Sequence, residues 1–334
     1  MLLDATLLET VRARRVLFVG GKGGVGKTSV SSAVALARAR EGSRVLVVST
    51  DPAHNLGHLW GCRVGDSPAR LATTEGGGRV DGIEIDPQRT VDAHLRAVAE
   101  TMRRMLPERM HAHAERHLAL AREAPGSHEA AVLERVADAV ALGLEGYDLV
   151  VFDTAPSGHT LRLMRLPEQL TGWTETLLSN RDRSERYASA MRGLASSRQR
   201  TPDESADAEL RRVLIARRER FARLRTTIED ASLTGFVIVS IAEPMPVSET
   251  LELAAALDGI GVDLAALVVN RVSPDDAGPL LAARRALENE QLDRLARELP
   301  RAPRVLVPLI GGALVGESAL GALAAEFGAP AEAR

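Results

Sequence analysis

Between an apolar run, Arg15–Gly20, and a stretch of helical composition, Lys27–Arg40, the chain reads Gly21-Lys22-Gly23-Gly24-Val25-Gly26-Lys27-Thr28. The spacing G-x-x-x-x-G-K-T between a strand and a helix constrains the fold more than any other feature. Its glycines permit a turn whose successive N–H groups point inward around an anion. The start of the following helix adds its positive end. In such a loop Gly21 through Ser29 surround phosphates, Lys27 reaches the outer phosphates of a nucleotide, and the Thr28 hydroxyl binds Mg2+. A nucleoside triphosphate and Mg2+ are therefore the expected cofactors.

Composition sharpens this. Of 42 basic residues only Lys22 and Lys27 are lysines; the rest are arginines. Where charge alone is needed this chain uses Arg, yet both lysines stand in the glycine-rich loop. A compact ammonium fits between phosphate oxygens and a backbone turn where a planar guanidinium does not.

Further apolar β-branched runs are Arg44–Ser49, Gly82–Ile85, Tyr147–Phe152, Gly235–Ile241, Ala265–Val269 and Arg304–Val307. Continuous runs of this kind suit a parallel sheet buried on both faces. With helical stretches between them they predict a doubly wound, mostly parallel α/β fold. One P-loop and no internal repeat predict a single ATPase domain over residues 1–334. A helical sub-domain is expected from about 88–146 and 166–232. Residues 180–209, polar and rich in Arg, Ser and Asp, read as a mobile loop, and Gly76–Gly78 as a flexible one.

Other functions are set aside by composition. A net charge of −3 and 3% aromatic residues give no field or stacking surface for nucleic acid. The single cysteine, Cys62, excludes a disulfide framework or a multi-cysteine zinc site within one chain. No signal peptide and no run of about 18 apolar residues is seen, so a cytoplasmic location is expected.

Two acids follow strands. Asp51, in Ser49-Thr50-Asp51-Pro52-Ala53-His54-Asn55, stands where a parallel sheet faces its ligand. It is the candidate for orienting and polarising an attacking water, with a helix cap as the plain alternative. Asp153 ends the buried run Tyr147–Phe152 and is the candidate Mg2+ carboxylate. The Pro156-Ser157-Gly158 that follows suits a loop that moves when the γ-phosphate leaves.

With Lys22 ahead of it, the loop KGGVGKT has the deviant form of the motif. It resembles the P-loop class that includes nitrogenase iron protein, the MinD and ParA positioning ATPases and the arsenite-pump ATPases. In that class the first lysine crosses a dimer interface, which implies that Lys22 acts in trans on a partner's nucleotide. The strings STDPAHNL and DTAPSGHTLRL are similar to the two switch segments of ArsA-type ATPases. That family comprises bacterial arsenite-pump motors and the eukaryotic factors that deliver tail-anchored proteins to membranes. GIEIDP, FVIVSIAEPMPVSET, LVVNR and VPL resemble further family segments in order along the chain. The resemblance implies that Asn270 hydrogen-bonds adenine, that Pro308 and Leu309 pack near the base, and that Glu243 approaches nucleotide across an interface. Absence of an NKxD motif beside Asn270 favours ATP over GTP.

The resemblance also implies a dimer, with a second copy or a paralogue, that opens and closes to bind and hand over a hydrophobic or membrane-protein client. Two alternatives stay open. One is a soluble motor subunit of an anion transporter; the other is a MinD/ParA-like switch that binds a soluble partner. A three-thiolate arsenite site cannot form from Cys62 alone. Met102, Met105, Leu106 and Met110 lie at helical spacing and suit either a client groove or a core. His111, His113 and His117 read as a solvated helix face rather than a metal site.

Overall fold

The computed structural model describes residues 6–51, 55–105, 111, 115–116, 119, 127–155, 164, 203–274 and 278–327. Eight strands form one sheet: β1 (Val16–Gly20), β2 (Arg44–Ser49), β3 (Ala69–Thr73), β4 (Arg79–Glu84), β5 (Leu149–Asp153), β6 (Thr234–Ile241), β7 (Leu264–Val272) and β8 (Arg304–Pro308). Their order is β3-β4-β2-β5-β1-β6-β7-β8. All neighbours are parallel except the β3–β4 pair. This is the doubly wound α/β fold expected from the apolar runs.

Both faces of the sheet are covered, which is why its strands are apolar without alternation. One face carries Leu17, Val19, Val45, Val47, Val151, Val237, Val239, Ala266 and Val268, packed with α1 (Leu7–Arg12), α2 (Lys27–Arg40) and α9 (Gly316–Glu326). Residues of the opposite parity, Phe18 and Phe152 among them, stack with ring centroids 4.7 Å apart. The remaining helices are α3 (Asn55–Trp60), α4 (Pro87–Met105), α5 (Ser127–Gly146), α6 (Asp203–Glu229), α7 (Pro244–Asp258) and α8 (Pro279–Glu298).

Two compact units divide the chain. One comprises Met1–Asp86, Asp138–Arg162 and Thr227–Arg334 and holds the sheet. The other comprises Pro87–Ala137 and Leu163–Thr226; its described residues are helical, most of them in α4, α5 and α6. Within this second unit Arg217 pairs with Glu134 at 2.8 Å and lies over the Phe221 ring.

Three local expectations change. β3 has no counterpart in the apolar runs: it is short, contains Arg70 and pairs antiparallel at the sheet edge, so burial never demanded an apolar pattern. Gly76–Gly78 is not a loose loop but the turn of the β3–β4 hairpin. Thr74 N donates to Gly78 O at 2.9 Å, and Thr74 Oγ1 to Ala39 O at 2.8 Å. A Cβ at Gly78 would lie 1.9 Å from Ala39 O, so only glycine lets the turn seat on the end of α2. Finally, the stretch 180–209 lies largely outside the described residues, but its last part, from Asp203, is the start of α6.

Candidate functional site

β1 is flanked by β5 on one side and β6 on the other, and chain direction around it opens a crevice at the carboxyl ends of the strands. Strand register fixes what meets there. Val19 pairs with Asp153 and Ser49 pairs with Asp153, so the loop after β1, the acid ending β5 and the segment after β2 emerge on one row. Thr50 N donates to Asp153 O at 2.9 Å, and Thr154 N to Val19 O at 3.1 Å. Alternation along β5 sends Asp153 to the face of Val151, which is the face that α2 covers. There Thr28, in the first turn of α2, donates its hydroxyl to Asp153 Oδ2 at 2.8 Å.

The loop is built for close approach. Gly21 has φ +143°, and a Cβ on it would lie 2.1 Å from Val239 O, so the loop lies directly against the β6 backbone. Gly26, at φ 99°, caps α2 without any side-chain hydrogen bond to the helix start. The first N–H groups of α2 therefore have no side-chain cap, as an anion site requires. Gly23 and Gly24 are exposed, Val25 is buried, and Ser29 follows in the first turn of α2. Lys27 is buried, and its Nζ donates to Lys22 O at 2.9 Å.

Electrostatics at this corner are held back by burial. Asp153 is buried and its carboxyl is pushed up to about 7 by desolvation; the Thr28 hydrogen bond and the Lys27 charge pull the other way. Burial likewise lowers the Lys27 pKa, partly offset by Asp153 and Asp51. Asp153 Oδ1 is buried without a hydrogen-bond partner among the described residues. A carboxylate oxygen left open beside a hydroxyl is a hard-oxygen corner that fits Mg2+. Among the described residues no cluster of three or more His, Cys, Asp or Glu could hold a metal unaided.

The other expected residues are placed as follows. Asp51 is half-buried after β2, with its N–H on Ser49 Oγ at 3.4 Å. Lys22 does not point at its own loop: its Nζ lies 2.9 Å from Glu249 Oε1 and contacts Met245 Sδ, both on α7. Glu243 stands at the N-cap of α7 in extended conformation, 3.7 Å from Arg284. Asn270 is buried at the end of β7; its Nδ2 donates to Val25 O at 2.9 Å, and its Oδ1 accepts from Arg271 N at 2.9 Å. The carboxamide thus already spends one hydrogen and one lone pair on backbone. Pro308 ends β8 and Leu309 is 40% exposed, its N–H on Val272 O at 2.8 Å. Pro52, Ala53 and His54, residues 156–163, His113, His117 and Met110 lie outside the described residues. So do the side chains of Met102 and Met105 on α4. Glu249 and Met245 were missed as partners of Lys22. Their only signal was position inside the quoted segment FVIVSIAEPMPVSET, six residues from Glu243 in the case of Glu249.

A glycine-rich loop from the central strand into a helix, with a buried acid one strand over, defines a P-loop nucleotide-binding protein. The chain belongs to the ArsA-type ATPase family: the family profile described as "Anion-transporting ATPase" matches residues 14–327. It is an ATP hydrolase. It is 32% identical to "ATPase ASNA1 homolog 1" of Paramecium tetraurelia over 285 residues, covering 84% of this chain and 82% of that protein. It is 31% identical to "ATPase get3" of Neurospora crassa over 310 residues, 90% of this chain and 86% of that protein. A "Putative arsenical pump-driving ATPase" of Halobacterium salinarum is 31% identical over 310 residues, 90% of this chain but 42% of that protein. Among the described residues no helix is long and apolar enough to cross a membrane.

Proposed function

We propose that the chain works as a dimer whose two phosphate loops close on ATP and Mg2+, and that this cycle binds and hands over a hydrophobic or membrane-protein client. The carrying observation is the division of labour between the two lysines. Lys27 is buried inside the loop, whereas the Lys22 ammonium is swung out to Glu249 with its side chain 29% exposed. An amine held away from its own loop supports a role toward a neighbouring subunit.

Mg2+, when bound, would neutralise phosphate charge. Asp153 and Thr28 would hold it, through the Asp153 carboxylate and the Thr28 hydroxyl. Lys27 donates to the outer phosphates. Asp51 accepts a hydrogen bond from the attacking water and aligns it, and the partner's first lysine meets the charge that develops on the leaving side. Asn270, Pro308 and Leu309 border the base, and Glu243 reaches the nucleotide from across the interface. The helical unit of Pro87–Ala137 and Leu163–Thr226 is the sub-domain to which we assign the client.

The first reading is supported by how much of each relative this chain matches. This one chain matches 82% of the ASNA1 homologue and 86% of the get3 ATPase, but 42% of the arsenical pump ATPase. The second reading, a motor subunit for an anion transporter, draws on the family description and on the Halobacterium relative. A lone Cys62 cannot build a three-thiolate metalloid sensor in one chain, which favours the first.

The test is complementation. Lys22→Arg and Asp51→Asn proteins are each expected to lose most turnover. Mixed, they form one dimer site with an intact Asp51 facing an intact Lys22 of the other subunit. Recovery of roughly a quarter of wild-type activity supports action in trans. Activity that stays at the level of the separate variants would sink it.

A further inference from the structure

The carbonyls of a phosphate loop need partners as much as its N–H groups do. Turning successive N–H groups inward sends the C=O groups outward into the protein, where a buried one must find a donor. Lys22 O accepts from Lys27 Nζ at 2.9 Å, and Gly26 O accepts from Val30 N at 3.0 Å. Both donors belong to α2, the helix that the loop itself starts. Val25 O is different. Its donor is Asn270 Nδ2 at 2.9 Å, from the far end of β7 and 245 residues away in sequence. Val25 is 1% exposed and Asn270 4%.

The amide is held in one orientation. Arg271 N donates to Asn270 Oδ1 at 2.9 Å, which leaves the NH2 end facing the loop. Arg271 itself has φ 59°, the one positive value for a non-glycine among the described residues. Such a conformation persists where its surroundings over-determine it, and such positions cluster at ligand clamps. The loop answers in kind: a Cβ at Gly26 would lie 2.4 Å from Asn270 Nδ2, so Gly26 also makes room for the amide.

We propose that Asn270 is a positioning residue that braces the phosphate loop through the Val25 carbonyl, so that affinity for the triphosphate itself depends on it, whatever it also does at the base. This rests on Gly21–Thr28 being the triphosphate site. It does not depend on dimer closure, on Lys22 or on any client.

The experiment is competition against a fluorescent ATP analogue in the presence of Mg2+, with ATP and with inorganic tripolyphosphate, which has no base. It is run on wild type, Asn270→Ala and Asn270→Leu. Leucine keeps the branching of asparagine and removes the donor, so it serves if the alanine protein does not fold; circular dichroism and the nucleotide-free melting temperature certify each. Tripolyphosphate is expected to displace the analogue from wild type. In the folded variants the affinity for tripolyphosphate should fall about 5- to 100-fold, the range for leaving a buried carbonyl unpaired, and that for ATP at least as far. A merely structural Asn270 would lower the melting temperature and leave the affinity of the folded protein unchanged, which overturns the brace. So does a variant that loses ATP but keeps tripolyphosphate, making Asn270 a base reader only. A wild type that tripolyphosphate fails to displace overturns it too.

Discussion

Asp153 is both the expected Mg2+ ligand and a strain on the nucleotide-free chain, and the two roles can be separated by pH. Its carboxyl moves from an ordinary 3.8 to about 7 on folding, because burial removes the solvent that would stabilise the charge. The folded chain therefore binds a proton that the unfolded chain releases between those values. Stability is unaffected below about 4, falls as pH rises through 7, and stays lowered above it. A shift of about three units corresponds to about 4 kcal/mol at pH 8. Asp153→Asn removes the charged form. The attraction of Lys27 is already contained in that shift, so the variant gains about 4 kcal/mol at pH 8, or roughly 8 °C in melting temperature. The assay is thermal melting of both proteins without nucleotide from pH 5 to pH 8. The lead of the variant should be small at pH 5 and widen up to pH 8, while ATP hydrolysis is lost at every pH. Adding Mg2+ and ATP should raise the wild type above the variant. A gap that does not change with pH, or that favours wild type at pH 8 without ligand, would refute the reasoning, because Asp153 would then be ionised and content in the empty site.

Two further predictions concern the loop and its lysine. Gly21→Ala places a methyl 2.1 Å from Val239 O, a backbone atom that cannot move without shifting β6. It should cost about 1–3 kcal/mol of stability and abolish tight ATP binding, readable by calorimetry. Glu249→Gln releases Lys22 from a half-exposed pair worth at most about 1 kcal/mol. ATP-driven association should tighten by up to about 25-fold in sedimentation, about fivefold for each of the two Lys22 side chains, and weaker association would show that Glu249 helps rather than restrains Lys22.

The buried strands were legible because both faces of a parallel sheet demand apolar side chains at consecutive positions. β3 was not, since an edge strand with Arg70 and one solvated side carries no such demand. The hairpin at Gly76–Gly78 looked loose because glycines read the same whether a turn is free or seated against Ala39. At the site, the loop, Thr28 and Asp153 could be read from motif spacing, since a phosphate cradle needs those residue types in that order. The brace of Asn270 on Val25 could not: a contact across 245 residues depends on strand order, which no local pattern encodes. Nor could the hold of Glu249 on Lys22, because a carboxylate on a helix surface looks like any solvated charge.

Closure of a dimer on ATP stands at the centre of the account. The measurement that tests it most directly is the molar mass in solution of Asp51→Asn protein, with Mg2+ and ADP and then with Mg2+ and ATP. A species that becomes a tight dimer with ATP and loosens with ADP is the expected result. A mass that ignores the nucleotide would contradict the closing dimer and leave Lys22 without a partner's phosphate to reach.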